Sequence, residues 1–382
     1  MEEWNRDILI NLLDSLIDYR GKTPKKTSSG VPLVTAKIIK GGRILPFEEF
    51  IAEDNYDSWM VRGLPQPGDV VLTTEAPLGE VAQLDNTKVA LAQRVVTLRG
   101  KKGILDNTYL KYFLQSDIGQ KRLIARETGT TVTGIKQSEL RKVEISYPDF
   151  DTQCRIASIL KSLDDKIALN NRINHNLEEQ AQALYRSWFV DFKPFKSGKF
   201  VDSELGFIPD GWHVGTLSEL VEVRYGKDHK MLNDGRIPVY GSGGLMRYAD
   251  RSLFESESVL IPRKGTLNNV MYVNHPFWTV DTMFYTIGKT EHVIKYAHLF
   301  LLTQDLASMN AGSAVPSMTT DILNKLPILI PTLEVLNTFD TVVSSVYSII
   351  RSDQVENASL ASIRDSILPQ LMSGVIDINS LN

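Results

Sequence analysis

Three kinds of string in this chain carry residue types that DNA chemistry uses, and each departs from the pattern that the chemistry needs. An adenine methyltransferase holds a flipped base in an Asn/Asp-Pro-Pro-Tyr/Phe loop. The nearest string runs from Asn274 to Phe277 and has His275 where that loop has proline. No Gly-rich cofactor loop accompanies it. Because the string falls between predicted strands, we interpret it as a turn with core aromatics.

The nuclease-like and phosphate-loop strings are also incomplete. Asp149 with residues 164–166 (Asp-Asp-Lys) has the carboxylates and lysine of a metal-dependent nuclease, but residues 164–166 fall on a predicted long helix. We interpret them as its solvated face. The Gly-Lys-Thr strings at 21–23 and 288–290 lack the glycine five residues earlier that a phosphate-binding loop requires. Six histidines show no metal-ligand spacing. We therefore expect neither catalysis nor a metal site.

Composition and charge indicate an ordinary globular protein of two or three domains. The net charge is −4, of which residues 332–382 supply all, with 2 Lys+Arg against 6 Asp+Glu. Residues 1–150 are nearly neutral, so any DNA-binding surface must be a local basic patch. The single cysteine, Cys154, excludes an intramolecular disulfide and favours a reducing cytoplasm. We expect no membrane span and no signal peptide.

An internal duplication is the most informative feature of the chain. The segment 129–148 matches 312–331 at a constant offset of 183 residues, and the match continues without a gap through about sixty residues. Upstream the likeness is weaker and its offset drifts: residues 112–114 resemble 299–301, and 69–72 resemble 258–261. The sequence therefore predicts two copies of one unit, each a globular region followed by a helix. The C-terminal parts of the two copies are similar and their N-terminal parts have diverged. This pattern favours two copies that bind related but different targets.

Each copy ends in a long predicted helix with an apolar seam at alternating spacings of four and three residues, the spacing of a coiled coil. The helices are predicted over 151–190 and 333–372. Each seam has a polar middle, formed by Asn170 and Asn174 in the first helix and by Asp353 and Asn357 in the second. Antiparallel packing would bring middle to middle and fix the register. Joining two domains is the simpler interpretation of such a helix pair.

Strand-rich α/β regions precede the helices. Helices are predicted over 107–127 and 291–308. Strands are predicted over 31–35, 70–74, 93–98, 143–147, 237–240, 258–262, 270–273, 282–287 and 326–330. Basic and hydroxyl side chains at the ends of these strands suit phosphates and base edges. The candidate DNA-binding residues are Lys37, Lys40, Arg43, Thr74, Arg94, Arg126, Thr131, Lys136, Tyr240, Ser242, Arg263, Lys264, Thr266 and Ser317.

Several strings resemble the specificity subunits of Type I restriction-modification enzymes. The first-helix strings 155–174 and 183–189 resemble the family's central region. The strings 237–244, 263–265 and 276–278 with Asp281 resemble one class of target-recognition domain, and 366–374 resembles the family's closing motif. The second helix differs from the first in most of its sequence and keeps mainly its apolar pattern. The likeness covers nearly the whole chain.

The resemblance implies an α+β protein with two mixed α/β target-recognition domains in tandem, each followed by a long helix, the helices packing as an antiparallel coiled coil. The expected divisions are domain 1 at 1–150, first spacer helix at 151–194, domain 2 at 195–331 and second spacer helix at 332–382. Each domain would read one half of a split double-stranded DNA target.

The resemblance also implies partners. Two modification subunits would dock on the helices and supply S-adenosylmethionine-dependent methylation, and restriction subunits would use ATP and Mg²⁺. This chain itself would bind no cofactor. Two alternatives stay open at this point: a diverged DNA-modifying enzyme, which would turn over substrate alone, and a helical assembly scaffold. The scaffold would lack the steep salt dependence of DNA binding.

Overall fold

The protein forms two compact units, each built from one globular region and part of both long helices. The computed structural model describes residues 4–128, 133–309, 317–376 and 378. Unit 1 combines the chain up to residue 170 with the chain from 355 onward, and unit 2 consists of residues 171–354. This division by packing cuts both helices, whereas the predicted division by sequence keeps each helix as its own segment.

Unit 1 is a mixed α/β structure. Its strands are β1 (Asn5–Ile8), β2 (Leu13–Asp18), β3 (Lys26–Thr27), β4 (Val31–Val34), β5 (Ile39–Lys40), β6 (Arg43–Ile44), β7 (Phe50–Ile51), β8 (Val70–Thr74), β9 (Leu78–Gln83), β10 (Ala90–Leu91), β11 (Val95–Gly100) and β12 (Glu144–Tyr147). Its helices are α1 (Leu9–Leu12), α2 (Tyr56–Trp59), α3 (Asn107–Gln115), α4 (Asp117–Ile124), α5 (Gln137–Leu140) and the first part of α6 (Phe150–Phe189).

Unit 2 is also a mixed α/β structure. Its strands are β13 (Phe200–Val201), β14 (Ile208–Pro209), β15 (His213–Thr216), β16 (Val221–Tyr225), β17 (Ile237–Gly241), β18 (Gly244–Ala249), β19 (Ser258–Pro262), β20 (Met271–Val273), β21 (Trp278–Thr279), β22 (Met283–Gly288) and β23 (Pro327–Ile330). Its helices are the second part of α6, α7 (Leu217–Leu220), α8 (Val293–Leu301), α9 (Thr320–Asn324) and the first part of α10 (Leu333–Met372).

Each unit has the same central antiparallel sheet. The strand order is β2-β11-β8-β9 in unit 1 and β16-β22-β19-β20 in unit 2. All residues of β8 and β19 are buried, which explains their short continuous apolar runs. A tyrosine ties the following helix to the last strand in both units: the Tyr109 hydroxyl donates to the Ser146 carbonyl at 2.8 Å, and Tyr296 donates to Leu329 at 2.7 Å. The predicted duplication is therefore present in the fold.

The predicted single helix 107–127 is wrong, because the structure has two helices there, α3 and α4. Ser116 ends α3 in an extended conformation, and its hydroxyl caps α4 by accepting from the Gly119 N–H at 3.2 Å. A Cβ atom at Gly119 would lie 2.0 Å from the Phe113 carbonyl oxygen, so this break requires glycine. The predicted helix 291–308 is also too long, since α8 spans Val293–Leu301. The predicted strands 70–74 and 258–262 agree with β8 and β19, and the other predicted strands differ from the observed strands by one or two residues at their ends.

The two long helices contact each other in antiparallel order inside each unit. In unit 1 the Asn170 amide donates to the Asn357 side-chain oxygen at 3.0 Å, and Arg364 donates to Asp164 at 2.7 Å. In unit 2 the Phe189 and Phe339 rings lie 4.8 Å apart. The polar middles of the two helices, which antiparallel packing was predicted to bring together, are in contact through Asn170 and Asn357. The coiled-coil geometry of the seam stays a prediction.

Candidate nucleic-acid interface

Three separate segments of unit 2 meet at one surface. The turn 241–244 is joined to the loop 263–269, because the Asn269 amide donates to the Ser242 carbonyl at 2.8 Å. Lys264 forms an isolated antiparallel β-bridge with Ser317. We call this the three-loop surface. It brings together five predicted DNA-binding residues, namely Ser242, Arg263, Lys264, Thr266 and Ser317.

Arg263 is the best-anchored cation of the three-loop surface. Its side chain donates to the Asp281 carbonyl at 3.2 Å, and its guanidinium carbon lies 5.4 Å from the centre of the Tyr225 ring. Lys264 and Thr266, by contrast, are exposed. Among the residues that the structure describes, no carboxylate lies within ion-pair distance of Arg263 or Lys264. Both cations therefore keep their charge available to an anion.

The equivalent backbone position in unit 1 carries Thr74. The Thr74 N–H donates to the Arg94 carbonyl at 3.0 Å, and its carbonyl accepts from Ile135 at 2.9 Å. Arg263 makes the same two contacts, with Thr282 and Met318. Thr74 is 1% exposed and its hydroxyl points to the Arg94 carbonyl. This burial does not fit a side chain that contacts DNA directly. Thr74 instead belongs to the frame, by which we mean the backbone hydrogen bonds that position 74 in unit 1 shares with position 263 in unit 2.

Three predicted cations of unit 1 are already paired with carboxylates. Lys37 pairs with Glu48, Arg94 with Glu75 at 3.0 Å and Arg126 with Glu139 at 3.2 Å. These pairs are at least partly exposed, so each costs little to break when a phosphate competes.

Lys40, Arg43 and Lys136 are exposed and have no ion-pair partner in the described part of the chain. Lys40 and Arg43 face each other on the β5–β6 hairpin. Thr131 lies outside the described residues.

Tyr240 lines a cleft of about 400 Å³ rather than the open surface. Its hydroxyl is 3.1 Å from His275 Nε2, and Arg351 of α10 also lines the cleft. Burial, with a smaller contribution from the Arg351 charge, lowers the pKa of His275 to about 4. His275 is thus neutral near pH 7. The cleft adjoins the three-loop surface through Asn269, which belongs to both.

Residues 164–166 are only partly the solvated face that the sequence indicated. Asp165 and Lys166 are exposed, but the Asp164 side chain is 18% exposed and accepts from Lys111, Tyr112 and Arg364. Burial alone would raise the pKa of Asp164, and the charge of Lys111 with these hydrogen bonds outweighs burial and lowers it. In unit 2 the equivalent contact is neutral: His298 Nδ1 lies 2.6 Å from the Tyr347 hydroxyl.

Sequence reasoning missed three residues at these surfaces, namely Tyr225, Asn269 and Arg20. In unit 2, Tyr225 and Asn269 were missed, and Asp281 was named only as part of the family resemblance, without its contact to Arg263. In unit 1, Arg20 donates to the Ile135 carbonyl at 2.8 Å, beside Thr74. Only the aromatic Tyr225 directly before Gly226 gave a usable signal, because an exposed aromatic next to a turn suits nucleic-acid contact.

Metal chemistry and membrane insertion find no support in the described part of the chain. Residues 4–128, 133–309, 317–376 and 378 hold no cluster of three or more histidine, cysteine, aspartate or glutamate side chains that could bind a metal ion. None of the helices in these ranges is both long and apolar enough to span a lipid bilayer.

Comparison with known proteins assigns the family. A family model described as the Type I restriction modification DNA specificity domain matches residues 21–179 and 209–350. The Type I restriction enzyme MjaIX specificity subunit of Methanocaldococcus jannaschii is 28% identical over 372 residues, which cover 87% of this chain and 83% of that protein. The HindI specificity subunit of Haemophilus influenzae is 25% identical and covers 72% of this chain and 76% of its own length.

A solved structure agrees on the fold. The S subunit of a Type I restriction-modification system from M. genitalium aligns with a TM-score of 0.61 and 19% identity, covering 97% of this chain and 96% of that chain. Each matched segment of the family model begins in one globular region and continues into the long helix that follows, and the two segments cover more than half of the chain. The chain belongs to the family of Type I restriction-modification DNA specificity subunits, the non-catalytic subunits that recognise DNA.

Proposed function

We propose that this chain selects a bipartite DNA target for a Type I restriction-modification complex, with one half-site read by each unit. The observation that carries the proposal is the shared frame of the two units. Thr74 and Arg263 occupy the same hydrogen-bonded backbone position, yet their side chains differ completely. A common frame with different side chains suits two related sites that read different bases.

The contacting side chains are proposed to be those that keep an available charge or hydroxyl. In unit 2 these lie on the three-loop surface. In unit 1 they are Lys40, Arg43 and Lys136, joined by Lys37, Arg94 and Arg126 once phosphates displace the carboxylates. Phosphate contacts fix the position of a protein on the duplex, and base contacts supply the sequence preference. Both types are therefore needed in each unit.

We further propose that the long helices set the gap between the half-sites and dock two modification subunits. Both α6 and α10 contribute residues to unit 1 and to unit 2, so each helix connects the two reading regions. S-adenosylmethionine, ATP and Mg²⁺ would bind to the partner subunits, and this chain would bind none. We place the complex in the cytoplasm, which the single cysteine also favours.

Sequencing of methylated adenines in the native host tests the proposal. The genome is compared with and without this gene, with the modification gene kept intact. We expect a split motif that disappears on deletion and returns when the gene is restored on a plasmid. Methylation that is unchanged by the deletion, in a host whose modification subunit is expressed, would refute the proposal.

A further inference from the structure

Arg263 is held at a fixed point by its own backbone. Its N–H donates to the Thr282 carbonyl and its carbonyl accepts from the Met318 N–H, each at 2.8 Å. The preceding strand β19 is buried at all five positions. A side chain that discriminates bases must start from a backbone that does not move, since small displacements destroy hydrogen-bond geometry. Arg263 meets this requirement better than any cation on an exposed hairpin.

The Arg263 guanidinium is also oriented in advance. The Tyr225 ring lies beneath it at 5.4 Å, and this ring packs edge-on against buried Phe284 with centroids 5.0 Å apart. The Asp281 carbonyl accepts one of its N–H groups at 3.2 Å. A guanidinium carries five N–H donors, so a pair of parallel donors remains for a ligand. Two parallel donors match O6 and N7 of guanine in the major groove.

Lys264 differs from its neighbour in each of these respects. Its side chain is exposed and has no partner in the described part of the chain, while its backbone bridges to Ser317. A flexible ammonium suits a phosphate oxygen, where direction matters little. In unit 1 the two equivalent positions carry Thr74, which is buried, and Glu75, which pairs with Arg94. Neither can offer a forked donor to a base.

We infer that Arg263 reads a guanine in the half-site bound by unit 2, that Lys264 contacts a neighbouring phosphate, and that Tyr225 is the positioning residue for Arg263. This inference rests on the proposed function and deepens it. It predicts an asymmetric target. In one half a G·C pair is recognised by a single arginine, and the other half has no such contact.

The test uses the chain assembled with its modification subunits and a selection from randomised duplexes, followed by competition binding. Wild type should yield a split motif. Arg263→Ala should reduce discrimination at one G·C position of one half by about 5- to 150-fold and leave every other position unchanged. Arg263→Lys should lose the same discrimination although it keeps the charge. Lys264→Ala should weaken binding to all duplexes equally.

Arg251 provides a matched control, because its side chain is 64% exposed and its nearest carboxylate is 4.0 Å away. Arg251→Ala should leave the motif intact. A uniform loss of affinity in Arg263→Ala would make Arg263 a phosphate contact, and an unchanged motif would also overturn the inference. If wild type selects no motif, the proposed function itself fails. Should Arg263→Ala misfold, Arg263→Lys decides, since it retains size and charge.

Discussion

Asp164→Ala should destabilise unit 1 far more than Asp165→Ala, although the two residues are adjacent on α6. Asp164 accepts from Lys111 at 3.1 Å and from Tyr112 at 2.7 Å through one oxygen, and from Arg364 at 2.7 Å through the other. It thereby joins α6 to both α3 and α10. Among the described residues Asp165 forms an ion pair with Lys161 alone, and both side chains are more than half exposed.

The magnitude follows from burial. Removing one partner of a buried ion pair costs about 3–5 kcal/mol, because it leaves a charge without compensation. The side chains of Lys111 and Arg364 are 10% and 23% exposed, and Arg364 keeps Asp365 as a partner at 2.8 Å. We therefore expect the lower end, about 3 kcal/mol, or a fall in Tm of about 6–12 °C for a unit of this size. Loss of the exposed Lys161 pair should cost about 0.3–0.5 kcal/mol.

Hydrogen exchange of the α3 amides, combined with thermal unfolding, measures the effect in unit 1 separately from unit 2. The difference between wild type and Asp164→Ala should persist from pH 8 to pH 5. A carboxylate with a lowered pKa in the folded state stabilises above its unfolded pKa, near 4, and loses this contribution only as pH falls through the folded value. Equal effects of the two variants would refute the reasoning that burial sets the energy.

Three further outcomes are expected. Lys264→Ala should reduce the salt dependence of DNA binding by about one counterion in a titration of affinity against salt, whereas Lys325→Ala should not. Equal slopes of affinity against salt in the two variants would contradict a phosphate contact by Lys264. Burial lowers the pKa of His298 to about 4, so the contribution of this residue to the stability of unit 2 should fall by about 2 kcal/mol between pH 7 and pH 5, as its unfolded imidazole takes up a proton. A His298→Phe variant should show a smaller pH dependence of Tm, of which His275 keeps a part, and an unchanged pH dependence would contradict this. Asn174 is 7% exposed and its amide oxygen has no partner in the described residues. Asn174→Leu should therefore raise the free energy of unfolding, measured by denaturant titration, by about 1–2 kcal/mol. Asn170→Leu should lower it, because this variant loses the Asn170 bonds to α10.

Much of the fold could be predicted from the sequence, because local patterns decide it. The predicted second helix, 333–372, agrees with α10, and the first differs from α6 by one residue at each end. The apolar seam recurs at seven or eight positions in each helix, so the polar residues in its middle do not hide it. The break at Ser116 was missed, because a capping hydroxyl inside an otherwise helical pattern is a weak signal.

The candidate site was less predictable, because its geometry depends on contacts between distant residues. Asp164 was interpreted as solvated, since its partners Lys111 and Arg364 are 53 and 200 residues away in the chain. The same limit applies to the predicted cations. Arg94 and Arg263 were both predicted to bind DNA because both are arginines. In the structure, strand pairing places Glu75 beside Arg94 and Tyr225 beside Arg263.

The shared frame explains how recognition can change while the fold is conserved. The bonds that hold position 263 in unit 2 and position 74 in unit 1 come from backbone N–H and carbonyl groups, not from the side chains. A substitution there leaves those bonds in place, so its cost in stability is limited to the side chain's own contacts. For Arg263 these are, within the described part of the chain, one hydrogen bond at 3.2 Å and one ring contact at 5.4 Å. Base preference at this position can therefore diverge between the two copies at little cost in folding free energy.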